Sequence, residues 1–302
     1  MSHLVAVTGA TGNVGGGIVE RLLLDGHDVR AIGRDRAKLE PLVLRGAEAR
    51  VGDQSNVDFL TKAFNGAKAV FAMIPSNPSA KDMRQEQREF AHAIVEAAKN
   101  SGVKKVVALS SVGAQHESGT GPIAGLHDFE ELLTYAPGVS VIFLRPTYFM
   151  ENFLHKIPLI KSAGFNGGLV RADLRMPMIA TRDIAEAGAE YLADPAFDGH
   201  SVRELLGPKD CSFAEATSTL GAAIGNPDLP YTTFSQEDFK NGLLAAGVSE
   251  SVADNYVEME NAMNDGLVAG SARSADNTTP TTLEQFAADT FAPSFKGSGA
   301  GG

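Results

Sequence analysis

An α/β fold built on a doubly wound parallel sheet, with a smaller α/β portion toward the C-terminus, is what this sequence predicts. Three observations carry it. Short apolar runs alternate with longer amphipathic stretches through the first two-thirds of the 302 residues. Most of the runs are continuously apolar and rich in Val, Ile and Leu, as strands buried on both faces of a parallel sheet are. A glycine-rich turn joins the first run to the first amphipathic stretch. Alternation of this kind implies right-handed strand–helix–strand crossovers.

The strands expected in order are 4–8, 28–33, 47–51, 69–73, 104–109 and 139–144, with helices near 14–25, 36–45, 57–65, 79–101 and 124–136. In the fourth helix Phe90, Ile94, Ala97 and Ala98 repeat at helical spacing. Beyond about 145 the alternation loosens. A helix is expected at 181–194, a strand at 201–206 and a helix at 212–225. Further helices are expected near 235–246, 249–266 and 281–290. Val252, Tyr256, Met259 and Met263 form a stripe that reads either as core-facing or as a lid over a substrate. The boundaries that follow are 1–150 for a nucleotide-binding core, 151–292 for a smaller substrate-binding portion interleaved with it, and 293–302 for a flexible Gly-rich tail.

Composition limits the function. Lys plus Arg total 26 and Asp plus Glu 37, a net charge of −11, which argues against nucleic acid as the main partner. The lone Cys211 forbids an internal disulfide, and the seven His do not cluster, so no metal site is expected. No run of about 18 apolar residues suggests a membrane span, and no signal peptide is read at the N-terminus. A cytoplasmic protein with a small-molecule substrate is the expectation, with a homo-oligomer left open. Gly-x-Ser-x-Gly is absent, so a hydrolase elbow is unsupported.

The most informative segment is Val5-Ala-Val-Thr-Gly9-Ala-Thr11-Gly12-Asn13-Val14-Gly15. Gly9 suits the tight turn after the strand, Gly12 close approach of a pyrophosphate, and Gly15 close packing of helix on strand. The helix N-terminus then offers free N–H groups and positive dipole charge to phosphate. This is a Rossmann-type signature, with Gly9, Thr11, Gly12, Asn13, Val14 and Gly15 as cofactor residues. At the end of the second strand stands Arg34, with Arg36 and Lys38 following, where a site for NAD usually carries an acid. A guanidinium matches the 2′-phosphate of NADP(H), so NADP(H) is the expected cofactor, although Asp35 can instead turn toward a ribose. Asp53 and Gln54 end the third strand as candidates to read adenine, with helix capping as the alternative for Asp53. Met73, Ile74 and Pro75 end the fourth strand, where the adenosine half would lie.

With these residues in place, the sequence resembles the NmrA-like branch of atypical short-chain dehydrogenases/reductases. The resemblance rests on Thr8–Gly15 with Arg34, on Leu109-Ser110-Ser111-Val112-Gly113-Ala114, and on Leu144-Arg145-Pro146-Thr147-Tyr148-Phe149-Met150-Glu151-Asn152-Phe153. It rests also on Thr181-Arg182-Asp183-Ile184-Ala185-Glu186 and Leu206-Gly207-Pro208. The resemblance implies the fold and an NADP(H) site that includes Ser110, Ser111, His127, Pro146, Thr147, Tyr148 and Phe149. It implies either an NADPH-dependent reductase of a small carbonyl, quinone, enone or imine, or a non-catalytic NADP(H)-sensing regulator. No Tyr-x-x-x-Lys pair exists, which argues against a standard ketoreductase or a sugar epimerase. Many members of this branch carry a Lys four residues before a Glu. Here that Glu is read as Glu131 and the Lys position holds His127. His127 is the leading acid/base candidate, since its unperturbed pKa of about 6.5 suits proton donation. Helix capping or a bond to a ribose is the alternative. Tyr148 and Ser110 complete the catalytic candidates. The segment Glu117–Gly121 is read as a mobile loop, over the site or simply at the surface.

Overall fold

A computed structural model describes residues 2–297. Seven parallel strands form the main sheet: β1 (Leu4–Val7), β2 (Asp28–Gly33), β3 (Glu48–Val51), β4 (Ala69–Ala72), β5 (Lys105–Leu109), β6 (Ser140–Pro146) and β10 (His200–Leu205). Their order across the sheet is β10-β6-β5-β4-β1-β2-β3. The helices between them are α1 (Asn13–Leu24), α2 (Arg36–Val43), α3 (Val57–Phe64), α4 (Met83–Ser101), α5 (Pro122–Thr134), α6 (Ile157–Ala163) and α7 (Thr181–Ala193). One core cluster lies under α3, α4 and α5, around Leu60, Phe64, Phe90, Ile94 and Phe129. The other lies under α1 and α7, around Ile18, Leu22, Leu39, Ile142 and Ile184. Val, Ile and Leu on both sides of the strands are therefore needed on both sides, which explains their unalternated runs.

Chain order reverses between β1 and β4. The chain leaves β1 toward β2 and β3, then crosses back to β4 on the other side. In open α/β sheets the crevice at this reversal, beyond the carboxyl ends of the strands, is where ligands bind. Thr8 holds its lip together. Its backbone N–H donates to Phe71 O at 3.0 Å, and its Oγ1 accepts from Met73 N at 3.0 Å.

After β6 the chain leaves the sheet and returns. Strands β7 (Tyr148–Phe149), β9 (Arg175–Ile179) and β11 (Asp210–Ser212) make a three-stranded sheet, and β8 (Asn166–Gly168) pairs with β12 (Tyr231–Thr233). A 3-10 segment over Met150–Lys156 and helices α8 (Phe213–Ala223), α9 (Gln236–Ala245), α10 (Glu250–Asn264) and α11 (Leu283–Phe286) complete this part. Its own apolar cluster gathers Phe153, Phe213, Leu220, Phe286 and Phe291. Between these elements, α7 packs on α1, where Gly17 lets Ala185 approach, and β10 joins the main sheet.

One boundary differs from the sequence reading. The helical path continues from α11 through a π-turn, Ala287–Phe291, into a last helix, Ala292–Gly297. Phe291 is buried and stacks on Phe295 at 6.3 Å. Residues 293–297 are thus anchored helix rather than flexible tail, and 298–302 lie outside the described residues. Among the described residues, no helix is long and apolar enough to cross a membrane.

Candidate functional site

The glycine loop sits at the reversal point. Gly9 has φ +61°, and a Cβ there would lie 2.3 Å from Met73 Sδ. At Gly15 a Cβ would lie 2.3 Å from Gly9 O. The positive φ calls for glycine at 9, and close backbone packing calls for it at 15. Neither holds at Gly12. Its φ is −94°, open to any residue, and a Cβ there meets only Gly9 O at 3.4 Å. Gly12 is also the N-cap of α1, with no side-chain cap and no acid in the first turn. A helix start with bare N–H groups, beside a glycine that packing leaves optional, is a cradle that fits a phosphate-bearing ligand.

The side chains past β2 divide their roles. Asp35 is the N-cap of α2, and its carboxylate accepts from Ala37 N at 2.9 Å and Lys38 N at 3.4 Å. That bonding holds it at the helix rather than at a ribose. Arg34 is exposed and makes no hydrogen bond or ion pair among the described residues. Asp53 does not cap α3. Asn56 does, accepting from Phe59 N at 3.0 Å, while Asp53 accepts from Ser55 N at 2.9 Å in a local turn. Gln54 is buried with its Oε1 unpartnered.

Beyond the carboxyl ends of β4, β5 and β6 opens a cavity of about 320 Å³. Met73, Ile74 and Pro75 form one wall, Ser110 and Ser111 the floor, and Thr147, Tyr148 and Phe149 another wall. Tyr256, Met259 and Met263 of α10 cover it. The stripe on α10 thus serves both readings: Val252 packs with Ala80 and Met83 in the interior, and the next residues face the cavity. Volume and apolar lining suit a small flat molecule beside a cofactor. Among the described residues lining it, Glu86 is the one Asp or Glu, and none is Lys, Arg or His. Glu86 Oε1 accepts from Asn77 Nδ2 at 2.9 Å.

Of the acid/base candidates, His127 does not line this cavity. Its Nδ1 donates to Ala114 O at 2.9 Å. The neighbouring residue Leu126 lines it instead. The reason is a register of one on α5. Of the two adjacent glutamates of this helix, the partnered one is Glu130, not Glu131: Glu130 is buried, takes the Arg145 guanidinium on both oxygens and accepts from Ser110 Oγ. Four residues before Glu130 stands Leu126. Arg145 is held firmly cationic by Glu130. Because Ser110 spends its proton on Glu130, it presents only lone pairs to the cavity and accepts rather than donates there. Ser111 Oγ donates to Val112 O at 2.9 Å.

Tyr148 does reach the cavity. Its ring packs on Phe213 at 5.1 Å and Phe153 at 5.6 Å. Burial, then the nearby Glu260 carboxylate, push its hydroxyl well above the usual tyrosine range, opposed by a bond from Asn152. It stays protonated and can donate, and the Asn152 bond is the one influence that favours its ionised form. The loop at Glu117–Gly121 is tied down: Arg84 pairs with Asp128 and donates to Glu117 O at 2.9 Å, and Gly121 packs against Asn255 O. The sequence reading missed the Glu130–Arg145–Ser110 network and Glu260. The one available signal for Glu260 was its place one turn after Tyr256.

Comparison with known proteins matches the fold. The NmrA-like family model matches residues 1–287. An NAD(P)H azoreductase of Xenophilus azovorans is 28% identical over 256 residues, 85% of this chain and 86% of the relative. The NADPH-dependent quinone oxidoreductase of Escherichia coli, solved with NADPH, has the same fold at a TM-score of 0.79 and 24% identity, covering 95% of this chain and 99% of the other. A triphenylmethane reductase of Citrobacter sp., solved with NADP(H), superposes at a TM-score of 0.77 with 25% identity over 95% of this chain and 99% of the other.

Proposed function

The chain belongs to the NmrA-like family, and from that premise we propose that it is an NADPH-dependent oxidoreductase that reduces small, flat, conjugated acceptors. The observation that carries this is the adjacency of an uncapped glycine cradle and an apolar, substrate-sized cavity along one strand-end crevice. A non-catalytic sensor of NADP(H) has no need of such a cavity.

In this reading Gly9, Thr11, Gly12, Asn13, Val14 and Gly15 hold the pyrophosphate. Arg34, free of other partners, meets the 2′-phosphate that distinguishes NADP(H) from NAD(H). Met73, Ile74 and Pro75 flank the dinucleotide, and Ser110 and Ser111 accept from its ribose or carboxamide. When bound, the cofactor supplies hydride to an acceptor in the cavity. Tyr148, which lines the cavity, donates the proton in this reading, rather than His127. A quinone asks little of it, since its reduced form is a stabilised anion.

Charge narrows the acceptor. An anionic group in the cavity would find Glu86 and no side-chain cation, and an unpaired buried charge is costly. Neutral or cationic quinones, enones and imine-type or azo dyes fit; sulfonated and phosphorylated ones do not. The relatives' NAD(P)H-dependent activities, named for an azo substrate, quinones and triphenylmethane dyes, are consistent with conjugated acceptors.

The test is NADPH oxidation followed by nicotinamide absorbance over paired acceptors with and without a sulfonate. Turnover with NADPH, with kcat/KM at least about tenfold better for the unsulfonated member, is expected. Tight NADPH binding without turnover of any acceptor would sink the enzyme reading in favour of the sensor.

A further inference from the structure

Tyr148 belongs to two walls at once. It lines the cavity and also a second space of about 10 Å³, shared with Lys156, Asn166, Tyr231 and Glu260. That is about the space of one water, and its lining is polar enough to hold one. The groups converge on Gly168. A Cβ there would lie 3.1 Å from Tyr231 Oη, 3.5 Å from Glu260 Oε2 and 3.8 Å from Lys156 Nζ. Gly168 does not have a positive φ, so its backbone does not require glycine; a methyl there would instead press on the Tyr231 hydroxyl and occupy the space between these three groups.

The chamber is braced on every side. Glu260 Oε2 accepts from Leu169 N at 2.7 Å and Val170 N at 3.2 Å. Tyr231 Oη donates to Val170 O at 2.9 Å, leaving its lone pairs to accept. Lys156, on the 3-10 segment, is half-buried and also lies over the Phe239 ring at 5.8 Å. The titratable groups around Glu260 are Lys156, Tyr148 of β7, Tyr231 of β12 and Tyr256 on its own helix. Burial pushes the Glu260 carboxyl up, and Lys156 and the two N–H groups oppose it.

We infer that this chamber is a proton relay behind Tyr148, in which one water links the Tyr148 hydroxyl to a Lys156 ammonium positioned by Glu260. The inference rests on the reductase reading. Once hydride has added to a conjugated acceptor, the substrate oxyanion takes the Tyr148 proton: the phenol O–H bond breaks as the product O–H bond forms. The chamber water protonates the phenolate and takes a proton from Lys156, which regains one from solvent. A tyrosine whose burial outweighs its one acidifying bond, from Asn152, is a poor donor by itself, and a proton arriving from behind removes that penalty. Tyr148 is the catalytic residue here; Lys156 is its proton source, and Glu260 and Gly168 are positioning residues.

Two readouts test this. First, kcat and KM for NADPH oxidation with an enone, which needs a proton, are compared across wild type, Lys156→Met, Gly168→Ala and Tyr148→Phe. Each variant is expected to lose about tenfold or more in kcat with KM little changed. The double Lys156→Met/Tyr148→Phe variant should lose no more than the single ones, because one pathway is cut twice. Second, tyrosinate absorbance is titrated in wild type minus Tyr148→Phe, with and without Glu260→Gln. Removing the carboxylate charge should lower the Tyr148 midpoint, a result that needs no turnover and reports whether the chamber carboxylate is coupled to that hydroxyl. NADPH affinity and melting temperature serve as checks on folding, and Gly168→Ala, which only fills the chamber, stands in if a charge variant does not fold. An unmoved Tyr148 midpoint, or unchanged enone kcat in Lys156→Met, would overturn the relay alone. Wild type that oxidises no NADPH with any acceptor would overturn the reductase reading itself.

Discussion

Two methyl groups placed three residues apart in the glycine loop should have opposite consequences. In Gly15→Ala the new Cβ would sit 2.3 Å from Gly9 O and 2.7 Å from Gly9 C. Both atoms are backbone and cannot rotate away, so the loop or α1 must shift. Overpacking of this kind costs about 1–3 kcal/mol, which for a chain of this size lowers Tm by about 2–10 °C. In Gly12→Ala the new Cβ meets only Gly9 O at 3.4 Å, and φ of −94° suits alanine. Glycine is only a moderate N-cap, so exchanging it costs about 0.5 kcal/mol, or about 1–2 °C. The methyl does, however, stand where a pyrophosphate must approach the backbone. NADPH affinity should therefore fall by about tenfold or more, equivalent to ~1.4 kcal/mol. The assay is thermal unfolding with and without NADPH, together with fluorescence titration. Gly12→Ala should melt almost as wild type yet gain little from NADPH, while Gly15→Ala melts early. Unchanged NADPH affinity in Gly12→Ala, or a loss of Tm equal to that of Gly15→Ala, would refute the assignment of Gly12 to ligand approach.

Three further outcomes are expected. Arg34→Ala should weaken NADPH binding by about tenfold or more while leaving NADH nearly unchanged, as loss of a charge-assisted bond to one phosphate requires; equal losses for both nucleotides in paired titrations would contradict it. Glu130→Ala should lower unfolding free energy by about 3 kcal/mol in urea titration, because Arg145 is left largely buried without its partner. Adding Arg145→Met should recover part of that loss; no recovery would show that the pair is not the cause. His27 has its ring pKa lowered by burial and by His3, and its Nδ1 is buried without a partner. A lowered base binds its proton more weakly folded than unfolded, so stability should fall as pH drops below about 6.5. Tm measured from about pH 7.5 to about pH 5.5 should fall less steeply in His27→Phe, and parallel slopes would discard this account.

Much of the candidate site is legible in the sequence, because its proposed recognition elements are local. The spacing of Gly9, Gly12 and Gly15 behind a β-rich run specifies a turn, a helix start and their close packing within eleven residues. Arg34 follows from counting to the end of the next strand. The cavity is different in kind. Met73, Ser110, Tyr148 and Met259 are far apart in sequence, and a strand end looks the same in sequence whether or not a cavity opens beside it. The His127 reading shows how narrow the margin is. Moving the reference acid from Glu131 to Glu130 rotates the helix position by about 100°, and the cavity then receives Leu126. Which Glu is the partnered one depends on Arg145 lying across the sheet, a contact that periodicity does not record.

By itself, then, the sequence determined the parallel sheet, the order of its strands and helices through β6, and the glycine turn that opens α1 behind β1. Those features follow from hydrophobic period, glycine spacing and the reach of a few residues. Tertiary structure alone decided that Asp35 and Asp53 are bound in local turns and caps, that Ser110 gives its proton to Glu130, and that α10 roofs the cavity. It also brought Lys156, Tyr231 and Glu260 together around Gly168. Each of these depends on side chains from separate elements competing for one partner or one space, and that competition is settled only when the chain has packed.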